Sequence, residues 1–340
     1  MGVTKVTSAE VARRAGVSQS AVSRVFTPGA SASQKTVDKV RKAAEELGYR
    51  PNILARAMVS GKSRMIGLVV SYLENYFYPE ALEKLSNALQ AEGYHVLIFM
   101  AAQTAGNIDD VVEEILDYQV DGIIAASVAM SSTLAQRCRD AGVPIVLFNR
   151  RQEGEEFSSV ASDNFAGGLE VARFLVAGGH ERFGFIAGWE GASTQRDREA
   201  GFLEGLARAG HKLHSRGVGN FKADEARAAA RQMFSGLDRP DAVFVCNDHM
   251  AFVVMDVLRG EMGLSVPGDV SVVGYDDVPP AAWLAYDLTT IRQRANLMVQ
   301  NTVSILLDLI ENPDAPPTRV KVNAPLVVRS SARIPKDWKA

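Results

Sequence analysis

The sequence predicts an α/β chain in which a small all-α headpiece precedes two doubly wound parallel-sheet lobes, and three observations carry that prediction. Charge is split along the chain: residues 1–64 hold 12 Lys and Arg against 4 Asp and Glu, a balance of +8, while residues 65–340 hold 25 against 36, a balance of −11. The first fifty residues contain three short helical patterns with their own caps. From Met65 onward, short β-rich apolar runs alternate with amphipathic helical runs, and the rhythm is played twice. With 340 residues and 47% hydrophobic content, the chain has enough apolar surface for more than one core.

The headpiece helices follow from local chemistry. In VTSAEVARRAGVS, Thr7 and Glu10 have the spacing at which each side chain satisfies a free backbone N–H of a first helical turn. The helix then runs through Val11, Ala12 and Ala15, and Gly16 supplies the positive φ of a tight turn. Ser18 caps a second helix, GVSQSAVSRVF, whose Val17, Ala21, Val22 and Val25 are expected to pack on Val11 and Val37 while Gln19, Ser20, Ser23 and Arg24 project elsewhere. Alone, that polar face would be a solvated surface. A third helix begins near Ser33, with Val37, Val40, Ala44 and Leu47 at helical spacing and Gly48 as its stop. Three short helices of this kind, basic and joined by a tight turn, make a helix-turn-helix unit whose second helix enters a DNA major groove while hydroxyls and N–H groups hold phosphates.

In the body, MIGLVVSYL, YHVLIFMA, VDGIIAAS and VPIVLFN read as buried parallel strands, with RFGFIAGW, DAVFVCND and DVSVVGYDD repeating the pattern after SSVASDNFAGG. The final segment from LTTIRQ reads as a long amphipathic helix, then strands at Val320–Val322 and Leu326–Arg329. Doubly wound sheets bind ligands beyond the carboxyl ends of their strands. Those ends carry Asn75, Phe77, Tyr78, Ser127, Asp163, Arg198, Asn247, Asp248 and Asp276, an assortment suited to hydroxyl-rich or anionic small molecules. Taken singly, Asp276 and Asn247 could be helix caps and Phe221 simple core.

Other classes are poorly supported. No apolar run approaches the about 18 residues of a membrane span, and the N-terminus lacks a secretory segment, so the chain is expected in the cytoplasm with no membrane partner. Cys138 and Cys246 are expected to be buried reduced thiols. The GKS at Gly61–Ser63 has Arg56 where a phosphate loop needs glycine, GVGNFK lacks the third glycine of a dinucleotide fingerprint, and His211 and His214 make only a two-ligand coincidence. No catalytic residue, metal or cofactor is expected.

TSAEVARRAGVSQSAVSRVF, followed by SQKTVDKVRKAAEELGYRPNILARAM, resembles the headpiece of the lactose and galactose repressor family, and DGIIAAS, SVASDNFAGG, RDREAGF, VVGYDD and LTTIRQ resemble its effector core in the same order. The resemblance implies a sequence-specific transcriptional repressor, not an enzyme, with a core like the periplasmic sugar-binding proteins. It places Gln19, Ser20 and Arg24 on base edges and Thr7, Ser18, Ser23 and Ser33 on phosphates. Arg24 suits guanine and Gln19 adenine. It makes residues 51–64 a hinge, with Asn52, Arg56 and Met58 meeting DNA; Met58 stands where the family usually has leucine. It assigns the effector to Arg198, Asn247 and Asp276, with Asp163, Phe77, Ser127 and the overlying aromatic Phe221. The implied organisation is residues 1–50 for DNA binding, 51–64 for the hinge and 65–340 for the core, whose first lobe spans about 65–161 plus 293–324 and second lobe about 162–292 plus 325–340. The implied partners are a pseudo-palindromic double-stranded operator, a sugar or sugar-derived effector and a second copy of the chain; IPKDWKA at the end leaves no room for a leucine-heptad tail. A transport-associated binding protein, the other two-lobed candidate, would not carry the basic head.

Overall fold

A computed structural model describes residues 6–27, 30–50, 62–101, 108–128, 132–152 and 157–338. The chain divides into two compact units, Met1–Arg64 and Met65–Ala340.

In the first unit, α1 (Ser8–Ala15) opens on a reciprocal cap: the Glu10 N–H donates to Thr7 Oγ1 at 3.4 Å, and the Thr7 N–H donates to Glu10 Oε2 at 2.7 Å. Gly16, at φ 65°, turns the chain into α2 (Gln19–Phe26), capped by Ser18. The third helix, α3 (Gln34–Leu47), is capped by Ser33 and ends on Gly48, also at φ 65°. One core closes the three, formed by Val11, Ala12, Val22, Val40, Ala43 and Ala44. Val37 stays half-buried outside it; Val40 and Ala43, about a turn further along α3, take the role expected of Val37. The hinge residues Asn52, Arg56 and Met58 lie outside the described residues.

The second unit contains two six-stranded sheets. The first is built from β1 (Met65–Val70), β2 (His95–Met100), β3 (Gly122–Ala126), β4 (Ile145–Phe148), β5 (Ser158–Ser162) and β11 (Arg319–Val322), in the order β11-β5-β4-β3-β1-β2 and wholly parallel. The second, from β6 (Phe183–Ala187), β7 (Leu213–Val218), β8 (Ala242–Val245), β9 (Ser271–Asp276), β10 (Thr289–Arg292) and β12 (Leu326–Val327), runs β12-β10-β9-β8-β6-β7, with only β12 antiparallel. Helices α4 (Phe77–Ala91), α5 (Ile108–Asp117), α6 (Ser132–Asp140) and α11 (Ala295–Glu311) serve the first sheet; α7 (Asn164–Ala177), α8 (Ser193–Arg208), α9 (Ala223–Phe234) and α10 (Asp248–Asp256) serve the second. The central strands are buried along their length because helices cover both faces of a parallel sheet.

Three details differ from the sequence expectation. Thr289–Arg292 is a strand and not the start of the long helix, because the β-branched run Thr-Thr-Ile pairs beside β9, so that α11 begins at Ala295. The segment SSVAS forms β5, which ends the first sheet's run of consecutive strands before the chain crosses to the second lobe. His214 lies in edge strand β7, while His211 sits edge-on against Phe183 at 5.1 Å, so the two imidazoles have separate packing roles. Cys138 and Cys246 are buried and unbridged. Among the described residues there is no cluster of three metal-ligating side chains and no helix long and apolar enough to cross a membrane.

Candidate functional site

Two polar surfaces carry hydrogen-bonding groups that the fold leaves partly unspent. The first is on α2. Gln19, Ser20, Ser23 and Arg24 are exposed, and the valines on the opposite side fill the three-helix core. Gln19 Nε2 donates to Ser8 Oγ at 2.9 Å, and Ser18 and Ser20 share a 2.9 Å hydroxyl contact, so the face is ordered by neighbours on α1 and at its own cap. Arg24 has no ion-pair partner among the described residues. An unpaired guanidinium beside hydroxyls and an amide on an exposed helix is the donor set that base edges and phosphates require.

The second surface is a cleft between the two lobes, lined from the first by Tyr72, Asn75, Tyr78, Ser127, Asn149 and Arg150 and from the second by Thr194, Arg198, Phe221, Asn247 and Asp276. Its geometry originates at strand ends. Ser127, just beyond β3, has φ 62°; Asn149, just beyond β4, has φ 58°; Asp276, the last residue of β9, has φ 132°; and Phe221, ahead of α9, has φ 61°. Positive φ costs a non-glycine residue on the order of 1–3 kcal/mol and persists where surrounding structure holds it. The concentration of such residues here turns side chains that would continue along the sheet into the space between lobes. Gly188, after β6, permits Phe221 to reach that space: a Cβ there would fall 2.1 Å from the ring.

At the second lobe's side, a dense polar network centres on Arg198. Its Nε donates to Asn164 Oδ1 at 2.8 Å, its Nη1 donates to the Cys246 carbonyl at 2.6 Å, and its Nη2 lies 3.6 Å from Asp276 Oδ1. The guanidinium also stands 3.6 Å from the centre of the Tyr275 ring. Burial alone would pull its pKa down, but the Asp276 charge, with smaller electrostatic contributions from Tyr275, Cys246 and Tyr78, more than reverses that, and the arginine stays charged. Asp276 accepts from Gln293 Nε2 at 2.7 Å and from Asn75 Nδ2 of the opposite lobe at 2.9 Å. Burial pushes the Asp276 carboxyl up, opposed by Arg198 and those two amides. Asp248 behind it is raised to about 8 by burial and by the Asp276 charge, and its oxygens accept from the Val278 N–H and the Thr290 hydroxyl. Asp248 therefore holds its proton at neutral pH, while the neighbouring guanidinium favours the charged form of Asp276.

Within the cleft, several buried polar atoms have no hydrogen-bond partner: Asn149 Oδ1, Arg150 Nε and Nη1, and Asn247 Nδ2. Asn247 spends its oxygen on capping α10 through the Met250 N–H, leaving its amide nitrogen for the cleft. Buried polar groups are nearly always paired, so unpaired ones converging on one space mark where a ligand's polar atoms belong.

Of the residues singled out in the sequence, Asn75, Tyr78, Ser127, Arg198, Phe221, Asn247 and Asp276 meet in this cleft. Three do not. Asp248 lies behind Asp276, bonded to the Val278 N–H and the Thr290 hydroxyl. Phe77 is in the core, stacked on Phe148 with ring centres 6.2 Å apart, because the turn of α4 points it inward; Tyr72 and Tyr78 supply the first lobe's aromatic surface instead. Asp163 caps α7 through the Ala166 N–H and lines a neighbouring hollow of about 180 Å³ with Arg151, Asp197 and Lys321. Asn149, Arg150 and Thr194 were missed; the NRR following VPIVLF was the available signal, a polar triplet at a strand's carboxyl end.

Comparison with known proteins gives a consistent placement. Residues 7–52 match the family model described as bacterial regulatory proteins, lacI family, and residues 172–332 match a periplasmic binding protein-like domain. The HTH-type transcriptional repressor PurR of Pectobacterium atrosepticum is 31% identical over 326 residues, covering 95% of each chain. Its namesake from Vibrio vulnificus is 29% identical over 331 residues, covering 95% of this chain and 98% of the relative. Among solved structures, the lac repressor dimer bound to operator and the anti-inducer ONPF superposes with a TM-score of 0.87 at 28% identity, covering 96% of this chain and 99% of that one. The complex of the transcriptional regulator CelR with cellobiose gives a TM-score of 0.73 at 30% identity, covering 96% and 100%.

Proposed function

This chain belongs to the lacI family of bacterial regulatory proteins, DNA-binding repressors with an effector-binding core, and from that membership we propose which of its residues do the binding and what they bind. The first fifty residues are the operator-reading headpiece, residues 51–64 connect it, and the core from Met65 senses a small polar metabolite, the protein acting as a homodimer in the cytoplasm. Gln19, Ser20 and Arg24 read base edges; Thr7, Ser18, Ser23 and Ser33 hold phosphates. Asn52, Arg56 and Met58 act at the connection. Paired headpieces imply a pseudo-palindromic site.

The effector lies between the lobes. The observation that carries this is the convergence of buried, partnerless polar atoms from both lobes on one space: Asn149 and Arg150 on one side, Asn247 on the other. Arg198 and Asp276 fix the orientation of ligand hydroxyls, each Asp276 oxygen retaining a lone pair beyond its amide bond. Phe221 covers the ligand's apolar face. The chain is about equally similar to a PurR repressor and to a CelR solved with cellobiose, so similarity does not choose the effector. The cleft's donors and acceptors favour a hydroxyl-rich molecule of sugar type.

Control follows from the two-lobed construction. A ligand that touches both lobes favours one angle between them, and a coupling of about 1–3 kcal/mol to operator binding is typical of such switches. The test separates the two surfaces. Arg24→Ala should abolish retardation of operator DNA and leave a ligand's thermal stabilisation intact, whereas Thr194→Val should weaken ligand response and leave DNA retardation intact. Loss of ligand binding in Arg24→Ala, or retention of full operator affinity, would refute the assignment.

A further inference from the structure

The effector cleft contains an arginine whose charge no carboxylate among the described residues balances. Arg150 is 4% exposed, and its Nε and Nη1 have no hydrogen-bond partner. Its surroundings are the phenols of Tyr72 and Tyr78, the face of Trp189 with its ring centre 5.3 Å away, and the like charge of Arg196. No carboxylate pairs with it among the described residues. The contrast is Arg198, equally buried but matched by Asp276. A largely buried cation with no described carboxylate beside it and two nitrogens unspent is unfavourable by itself, and is explained where a ligand brings the missing charge.

Resting on the reading of this cleft as the effector site, we propose that the effector is a polyhydroxylated monocarboxylate of sugar size, an aldonate or uronate, whose carboxylate is held by Arg150 while its hydroxyls meet Asp276, Arg198 and Asn247. The charges lining the cleft set the number. Arg150 and Arg198 oppose Asp276, a surplus of one positive charge. One carboxylate closes that balance. A phosphate monoester, carrying about 1.5 to 2 negative charges, exceeds it and would face the Asp276 carboxylate. A neutral sugar leaves Arg150 without a counter-ion. The Asn149 side-chain oxygen Oδ1, also partnerless, accepts from a hydroxyl next to the carboxylate.

The experiment uses the full chain, with thermal shift and calorimetric titration of glucose, galactose, glucuronate, galacturonate, gluconate and glucose 6-phosphate against the wild type, Arg150→Met, Arg198→Ala and Thr194→Val. We expect one of the carboxylates to raise the melting temperature while its neutral parent does not. Arg150→Met should weaken that binding by about tenfold to a hundredfold, the usual range for a lost charged hydrogen bond. The ligand-free Arg150→Met protein should melt no lower than the wild type, because an unbalanced buried charge has been removed. Four results would overturn the proposal: silence of all three carboxylates, tighter binding of the phosphate or a neutral sugar, carboxylate binding untouched by Arg150→Met, or a lower melting temperature of ligand-free Arg150→Met. A neutral sugar whose binding is lost in Thr194→Val but kept in Arg150→Met would leave the effector site standing and remove only the carboxylate. Binding that survives both Arg198→Ala and Thr194→Val would remove the site itself.

Discussion

The two lobes share one strand order but present opposite electrostatic conditions to the space between them. At the second lobe's strand ends, Arg198 is tied to Asn164, the Cys246 carbonyl and Asp276, and Asp276 to two amides. At the first lobe's, Arg150 and Asn149 keep donors and acceptors unspent. The second side is largely tied up within the protein, with the Asn247 amide nitrogen left over; the first leaves more for a ligand to complete. Equal topology thus says little about a site, because the chemistry resides in a handful of residues beyond each strand.

The comparison predicts unequal costs for removing the two arginines. Arg198→Met leaves the Asp276 charge buried beside only amides and should destabilise the core by about 3–5 kcal/mol in urea unfolding. Arg150→Met exchanges a charge without counter-ion for an apolar chain and should be neutral or stabilising. Equal losses in both would erase the distinction between the lobes.

A smaller effect tests how the second lobe is held together. Helices α7 and α8 cross at glycines: a Cβ on Gly168 would meet the Arg198 carbonyl oxygen at 2.1 Å, and one on Gly201 would meet the Phe165 carbonyl oxygen at 2.0 Å. Gly67, in β1 of the first lobe, would meet side-chain atoms in place of backbone, the Ile115 Cγ2 methyl at 2.8 Å and Ile123 Cγ1 at 3.7 Å. Backbone cannot swing aside as a side chain can. Gly168→Ala should therefore cost about 1–3 kcal/mol and weaken ligand binding by displacing Arg198, while Gly67→Ala costs less and spares binding.

The raised carboxyl of Asp248 gives the second lobe a pH signature. Its pKa of about 8 in the folded chain lies above the ordinary 3.8, so across that window the folded state keeps a proton that the unfolded state has released. Stability must fall as pH rises from about 4 to 8, by at most about 1.4 kcal/mol per unit, and the dependence ends above 8. Asp248→Asn reproduces the protonated form, its amide donating to the Thr290 hydroxyl and its oxygen accepting from the Val278 N–H. The variant should match the wild type near pH 5 and exceed it near pH 8. Parallel pH profiles would place the proton elsewhere.

The sequence was legible where one residue has one role. The Thr7–Glu10 cap, the Gly16 turn and the apolar strand runs depend on neighbours along the chain, and they could be read there. Arg198, Asn247 and Asp276 stood out because polar groups ended apolar strands. Phe77 and Tyr78 show the limit: adjacent aromatics after one strand, of which helical rotation buries the first and turns the second to the cleft. Asp163 shows another, since a helix cap and a ligand contact look alike at a strand end. Arg150 sits between Asn149 and Arg151 at a strand's carboxyl end, and nothing along the chain distinguishes the two arginines. Only folding places one arginine in the cleft and the next in an ion pair with Asp197.

That ion pair supplies the smallest prediction. Arg151 of the first lobe binds Asp197 of the second through Nε at 2.9 Å and Nη2 at 2.5 Å, with side chains 51% and 21% exposed. Solvent at this exposure limits its worth to about 0.2–1 kcal/mol, so Asp197→Asn should barely change stability. The bridge nevertheless spans the lobes, and its energy counts in full toward the angle between them. Affinity for the stabilising ligand should drop by up to about fivefold as the lobe angle that the bridge favours becomes less populated. Salt separates this from a local defect: wild-type affinity should weaken between 50 and 500 mM salt (about 14 and 4 Å of screening length) more than the variant's, because only the wild type has an exposed latch to screen. If both respond alike, the angle between the lobes rests on the buried Asn75–Asp276 bond, and the outer pair is incidental to it.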